Sequence, residues 1–154
     1  MLKRAVILLP ILFSVPAANA LDADYENCLK STSSKGNVEG FRDCVVAYAN
    51  KTLPQSGANG AYSIRYGHDG AYFRMDVKDI TLYYKKGEPR LEKVRDDFIV
   101  SAENWDNREK ISKGYCVTLG AAQEVFNRGV IIRYYDRNNK FVHTSIVTPE
   151  QCSN

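Results

Sequence analysis

The spacing of apolar positions changes near residue 60 and divides the chain into a helical part and a strand-rich part. Residues 22–32 are predicted to form a short helix that begins with acidic residues, and STSSKGN follows as a turn. A second helix is predicted over residues 38–53, ended by Pro54, with apolar side chains at helical spacing at Phe41, Val45 and Tyr48. The two segments indicate an antiparallel helical hairpin.

After the loop PQSGANG, side chains alternate between the two faces of a strand. Residues 61–77 predict a hairpin that turns at His68-Asp69 or at Asp69-Gly70, and His68 is then a turn residue exposed to solvent. Both turns place the same side chains on the core face: Tyr62, Ile64, Tyr66, Phe73, Met75 and Val77. The opposite face has the set Ser63, Arg65, Tyr72, Arg74 and Asp76.

Three further segments, residues 80–86, 90–94 and 97–102, have the composition of short strands. A third short helix is then expected in VTLGAAQEVFNRG, with Gly129 as its C-terminal stop. Its apolar side is formed by Leu119, Ala122 and Phe126.

The chain ends with two predicted strands, residues 130–136 and 141–148, that turn at the Asn-Asn pair 138–139. In this register Tyr134 lies opposite His143, at the margin of the core. The more apolar face holds Val130, Ile132, Tyr134, Phe141, His143, Ser145 and Val147. The other face holds Ile131, Arg133, Tyr135, Val142, Thr144 and Ile146.

These elements predict an α+β domain, with an N-terminal helical hairpin and an antiparallel sheet of about five to six strands. The third short helix precedes a C-terminal β-hairpin. The four cysteines predict two disulfides, because an even count in an exported chain favours pairing over free thiols. Antiparallel packing of the first two helices favours Cys28–Cys44, and the remaining pair is then Cys116–Cys152.

The first twenty residues have the pattern of a cleaved signal peptide typical of bacteria. Lys3 and Arg4 precede the apolar run AVILLPILFSV, and Ala-Asn-Ala at 18–20 has the form of a cleavage site. The run is shorter than the roughly twenty apolar residues that cross a bilayer, so we expect no membrane anchor in the mature form. Residues 21–154 are then a single exported domain, periplasmic or secreted.

The low net charge predicted for residues 21–154 argues against a nucleic-acid ligand. Removal of residues 1–20 lowers the formal net charge from +3 to +1, because that segment contains two basic and no acidic residues. Proteins that bind nucleic acid usually have a marked basic excess, since phosphate contacts supply most of the affinity.

Catalytic and cofactor motifs are not found in the sequence. It contains no G-x-S-x-G, H-E-x-x-H, P-loop or EF-hand pattern, and we expect neither a cofactor nor a metal site. The alternative is a small secreted hydrolase, either glycan-cleaving or similar to microbial ribonucleases. Those ribonucleases combine a glutamate, an arginine and a histidine on a sheet, with general acid–base roles among them, and here these are Glu92, Arg133 and His143. The last two point to opposite faces unless the hairpin has an odd-length loop or a bulge.

The leading hypothesis is a non-enzymatic binding protein. Tyrosine and arginine enrich protein–protein interfaces, because each buries a large area while keeping polar contacts. On the polar faces of the predicted strands these residues are Arg65, Tyr72, Arg74, Arg133 and Tyr135. We expect a protein partner in the bacterial envelope: a toxin, a hydrolase or a secretion component. The chain is then an inhibitor or immunity-type protein, or an accessory factor of secretion.

Overall fold

A computed structural model of the chain describes residues 23–106 and 125–152. In these ranges three helices and four strands follow one another as α1 Ala23–Ser33, α2 Val38–Thr52, β1 Tyr62–Asp69, β2 Tyr72–Asp79, α3 Pro89–Asp106, β3 Gly129–Tyr135 and β4 Phe141–Val147. Two short 3-10 turns, Ala58–Gly60 and Pro149–Cys152, complete them. The α+β class is therefore confirmed, and so is the N-terminal helical hairpin. No helix of the described ranges has the length and apolarity needed to cross a membrane.

The four strands form one mixed sheet in the order β1-β2-β3-β4. The two hairpins, β1/β2 and β3/β4, are antiparallel, whereas β2 and β3 are parallel. A parallel pair needs a long crossover, and α3 lies within it. The predicted sheet of five to six antiparallel strands is therefore wrong for the described residues, which contain four strands.

The error in strand number comes from the segment between residues 80 and 102. Residues 89–106 form α3 instead of two strands, and residues 80–86 contain no strand. Pro89 is the first helical residue, a position where its missing N–H costs nothing. Phe98 and Ala102, four residues apart, are both buried on one side of this helix. The apolar period of α3 spans both predicted strands and is visible only when they are read as one segment.

The first hairpin turns at Gly70-Ala71, because Asp69 lies opposite Tyr72. Gly70 has a φ of +53°, which a side chain would disfavour. Both predicted turn positions are wrong, yet the predicted faces are confirmed. Any two-residue turn pairs even positions of one strand with odd positions of the other, so its exact place leaves the faces unchanged.

The second hairpin contains two irregularities that cancel. A three-residue loop follows Asp136, whose N–H donates to the Lys140 carbonyl at 2.9 Å, and Asn139 adopts a φ of +61°. A β-bulge then restores the register, so Tyr134 lies opposite His143 as predicted. Only the residues between loop and bulge change faces.

Phe141 and Val142 are these exchanged residues. Val142 is buried, whereas Phe141 is 55% exposed and its ring lies 6.1 Å from that of Tyr135. The predicted positions of both are therefore wrong, because the bulge reverses alternation locally.

The core lies between the sheet and the helices α2 and α3. Helix residues Ala49, Phe98 and Ala102 pack there against one face of all four strands. The strand residues fully or nearly buried in it are Ile64, Tyr66, Phe73, Met75, Val130, Ile132, Tyr134, Val142 and Val147.

The free edge of β1 is covered by the last turn of α2 and by the chain that follows it. The Asn50 side chain accepts from the Tyr66 N–H and donates to the Tyr66 carbonyl, both at 3.0 Å. The Ile64 N–H donates to the Gln55 carbonyl at 2.7 Å. These bonds satisfy backbone groups that an edge strand otherwise leaves open to another chain.

The Cys28–Cys44 disulfide is confirmed and links α1 to α2 with a Cα–Cα distance of 5.9 Å. Since α1 has no buried residue, this link and the stacked rings of Tyr25 and Tyr48 hold it in place. The predicted Cys116–Cys152 link and most of the predicted third helix lie outside the residues whose side chains the structure describes. Gly129 was predicted as that helix's stop and is instead the first residue of β3.

The change Cys28→Ala tests the contribution of the disulfide. Cys28 is exposed, so the change removes the link without a cavity. We expect the free energy of unfolding in urea to fall by about 3 kcal/mol, the value for a loop of this length. Since Cys44 is buried, Cys28→Ala/Cys44→Ala should fall further. An unchanged midpoint in the single variant contradicts the expectation.

Alkaline pH tests the packing of Tyr66. Burial, and to a lesser degree Tyr62, raise the pKa of Tyr66 from 10.0 to about 12, and its hydroxyl donates to the Pro54 carbonyl at 2.6 Å. A raised pKa means that the protonated form is favoured on folding, so its stabilisation is complete below pH 10 and is lost as the pH rises toward 12. Tyr66→Phe should lower stability by about 1 kcal/mol at neutral pH and flatten this decline. Parallel pH profiles of the two proteins in urea unfolding contradict it.

Candidate functional site

The face of the sheet opposite α2 and α3 is called the open face. None of its side chains is buried, and all five residues predicted to bind a partner lie on it. Its members are Ser63, Arg65, Asp69, Tyr72, Arg74, Asp76, Lys78, Ile131, Arg133, Tyr135, Phe141, Thr144 and Ile146.

An arginine–aspartate network occupies the middle of the open face. Arg74 donates through Nε to Asp76 Oδ2 at 3.1 Å, and its Nη1 lies 3.5 Å from Asp69 Oδ1. Arg133 donates through Nη2 to the other oxygen of Asp69. Two arginines are thus matched by two carboxylates of the same chain, and their charges are largely compensated internally.

Gly67 makes room for this network. It lies opposite Arg74 in the register, and a Cβ at Gly67 would come within 2.6 Å of the Arg74 Nη2 atom. A glycine inside a strand weakens it, and it commonly marks the close approach of another group. Here that group is the guanidinium of Arg74, which lies over Gly67 and contacts Asp69.

A cavity of about 690 Å³ opens beside the network, toward the β1 edge of the sheet. Two basic residues line it, Arg65 and Lys78, and neither has a carboxylate partner among the residues that the structure describes. The other lining residues are Asn50, Gln55, Ser63, Ile64, Asp76, Tyr135 and Asn139.

Lys78 is the residue of this site that the sequence analysis missed. The predicted hairpin ended at Val77, whereas β2 extends to Asp79. Continuing the alternation by one position would have placed Lys78 on the same face as Arg74 and Asp76.

The β3/β4 half of the open face has a different character and is called the apolar strip. Ile131 lies opposite Ile146, and the Tyr135 ring packs edge-on against Phe141. Phe141 is 55% exposed and Ile146 is 39% exposed. The strip therefore consists of Ile131, Tyr135, Phe141 and Ile146, two cross-strand pairs with the Arg133–Thr144 pair between them.

His68 belongs to the covered side of the molecule. Because the turn lies beyond it, His68 is a residue of β1, with a side chain only 19% exposed, and its prediction as an exposed turn residue is wrong. Its Nε2 lies 3.0 Å from Asp43 Oδ1, and its Nδ1 lies 3.8 Å from Glu39 Oε2. Both carboxylates are on α2, so His68 ties that helix to the sheet.

The three residues of the alternative catalytic hypothesis are not brought together. Glu92 lies in the first turn of α3, where Oε1 accepts from the Gly87 N–H at 2.9 Å. Arg133 is on the open face, whereas His143 is on the covered face, with its ring 6.4 Å from Tyr134. The hairpin does have an odd-length loop and a bulge, but their effects cancel and the two faces stay separate. Within the described ranges no three side chains of His, Cys, Asp or Glu are grouped to hold a metal ion.

Asp69→Asn tests the arginine–aspartate network, since Asp69 contacts both arginines. The partners are 26–39% exposed, so we expect a modest loss of about 1 kcal/mol in the free energy of unfolding. The matched control is Asp97→Asn, which breaks the more exposed Lys93–Asp97 pair on α3 and should cost about 0.3 kcal/mol. Equal losses in urea unfolding of the two variants contradict a stabilising role for the network.

Comparison with known proteins adds no functional assignment. No family model, no curated protein and no solved structure matches the chain. Its function is therefore inferred from the chemistry of the open face.

Proposed function

We propose that the chain is an exported, disulfide-stabilised binding protein that engages a protein partner of the bacterial envelope through the open face. An inhibitor or immunity-type protein, which occludes a toxin or hydrolase, is the first choice within this class, and an accessory factor of secretion is the second. The observation that carries the proposal is a sheet face, covered by neither α2 nor α3, that holds both the apolar strip and the arginine–aspartate network.

The composition of the open face supports a protein partner. Interfaces combine aromatic and arginine anchors with a polar surround. On the open face the half-buried Tyr135 packs against the exposed Phe141, and the arginines of the network share that face. Single exposed apolar residues are ordinary, whereas the strip contributes two cross-strand apolar pairs, each with one exposed member. Apolar pairs that alternate with charged and polar side chains are typical of a protein-binding surface.

The rigidity of the surface supports tight binding. The open face belongs to a sheet whose other face is packed against α2 and α3, so the backbone that carries its side chains is held in place before a partner arrives. Ordering loops and side chains on association costs free energy, and a preformed surface avoids much of that cost. A preformed face of this kind suits a protein that blocks the active site of its partner.

The proposed compartment is the periplasm or the extracellular space. The Cys28–Cys44 disulfide supports it, because such links persist mainly in oxidising compartments. The signal-peptide pattern of residues 1–20 supports it independently.

A capture experiment with the tagged chain in its own bacterium tests the proposed function. We expect one stoichiometric envelope protein to be retained, and Tyr135→Ala/Phe141→Ala to weaken its binding at least about tenfold, or about 1.4 kcal/mol. The matched control is Val100→Ala, since Val100 is as exposed as Phe141 at 55% but lies on α3. Calorimetry with the purified partner measures each affinity.

Two results contradict the proposal. One is equal affinity of the double variant and the control. The other is hydrolysis of RNA or peptidoglycan by the purified chain that disappears with His143→Ala while folding is kept.

A further inference from the structure

The basic residues of the open face fall into two classes. Arg74 and Arg133 are bound by aspartates of the same chain, whereas Arg65 and Lys78 have no such partner in the described part of the chain. The face as a whole contains four basic and two acidic residues, and the excess positive charge is located at the second pair. That pair lines the cavity.

The register places Arg65 and Lys78 on adjacent strands. Arg65 lies opposite Asp76 and Lys78 lies opposite Ser63, so the two cations are diagonal neighbours on one face. Diagonal positions are roughly 7–8 Å apart, within reach of long side chains. Their charged ends can therefore converge on one anionic group held between them.

Asp76 also lines the cavity and would oppose an anion there. Its Oδ2 accepts from Arg74 Nε at 3.1 Å, whereas its Oδ1 is buried and has no hydrogen-bond partner. Arg74 thus pairs with one oxygen of Asp76, and burial keeps the other from contact with a ligand in the cavity. Arg65 and Lys78 remain the uncompensated charges of the cavity.

The rest of the lining is mostly hydroxyl and amide groups. Ser63, Tyr135 and Asn139 surround the two cations with such groups, and Ile64 is the one aliphatic residue of the lining that the structure describes. Ligand pockets for apolar molecules are lined mainly by hydrophobic side chains. A polar cavity with two unmatched cations favours a small, hydrated anionic group, and charge-assisted hydrogen bonds to a carboxylate are among the strongest available.

Tyr135 connects the cavity to the apolar strip. It lines the cavity and also packs against Phe141, so one molecule covering the strip would reach the two cations. This continuity favours a side chain of a protein over an independent small molecule.

We infer that the cavity between Arg65 and Lys78 is a carboxylate-binding site that takes an acidic side chain of the protein partner. The inference rests on the proposed function and deepens it. It assigns the cavity a role in specificity, because a partner without an acidic residue at this point would leave two cations desolvated and unpaired.

The test uses two synthetic hexapeptides, one of six glutamates and one of six glutamines, titrated into the ¹⁵N-labelled chain. We expect the glutamate peptide alone to shift the amide signals of Ser63, Arg65 and Lys78, with an affinity that falls as salt is raised. Arg65→Ala and Lys78→Ala should each weaken this affinity at least about tenfold, or about 1.4 kcal/mol. Lys35→Ala removes the same charge in the α1–α2 turn and should change it less than about twofold.

Three outcomes overturn the inference. The first is equal binding of the glutamine peptide, and the second is a set of shifts that maps away from the cavity. The third is inorganic phosphate that binds at the same amides and that the glutamate peptide does not displace, which makes the cavity a phosphate site.

The outcome for this site can be separated from that for the proposed function. A captured partner that is lost with Tyr135→Ala/Phe141→Ala but retained by Arg65→Ala/Lys78→Ala, together with no peptide binding, refutes the carboxylate site and keeps the binding function. Peptide binding at the cavity with no captured partner supports its carboxylate chemistry and refutes the protein-binding function.

Discussion

Side-chain alternation along four strands is the constraint on which the rest of the molecule depends. Because successive residues point to opposite faces, one sheet surface collects the large apolar side chains and packs against α2 and α3. The same alternation sends arginines, aspartates and tyrosines to the other surface. The core and the candidate site are thus two consequences of one pattern, and neither can change register without exchanging its residues with the other.

Alternation also explains which parts of the fold follow from sequence. The faces of β1 and β2 are predicted correctly although both proposed turns are wrong, because parity does not depend on where a two-residue turn falls. In β3 and β4 only Phe141 and Val142 are misplaced, since loop and bulge offset each other everywhere else. Helix α3 is different: residues 90–94 and 97–102, taken separately, fit either strand or helix, and only the full length of the segment decides between them.

The candidate site follows from sequence only in part, for a related reason. The five residues predicted to bind a partner do share a face, because that property is local to each hairpin. Whether an aspartate of the same chain already neutralises one of these arginines depends on contacts between distant residues. Arg133 contacts Asp69, 64 positions away in sequence, because β2 and β3 pair in parallel. Sequence pattern alone indicates neither that pairing nor the cavity beside it. The sequence pattern therefore predicts Arg74 and Arg133 as binding residues although both are paired with aspartates, and it does not predict Lys78, which lines the cavity.

The covered edge of β1 has a consequence for how copies of this chain behave at high concentration. A fibril built by strand addition needs two receptive edges on every copy, one to join the preceding molecule and one to accept the next. Asn50 already occupies the Tyr66 N–H and carbonyl, and Gln55 occupies the N–H of Ile64. A sheet with one side sealed in this way can join at most one further copy edge to edge, so such association ends at a pair rather than a polymer.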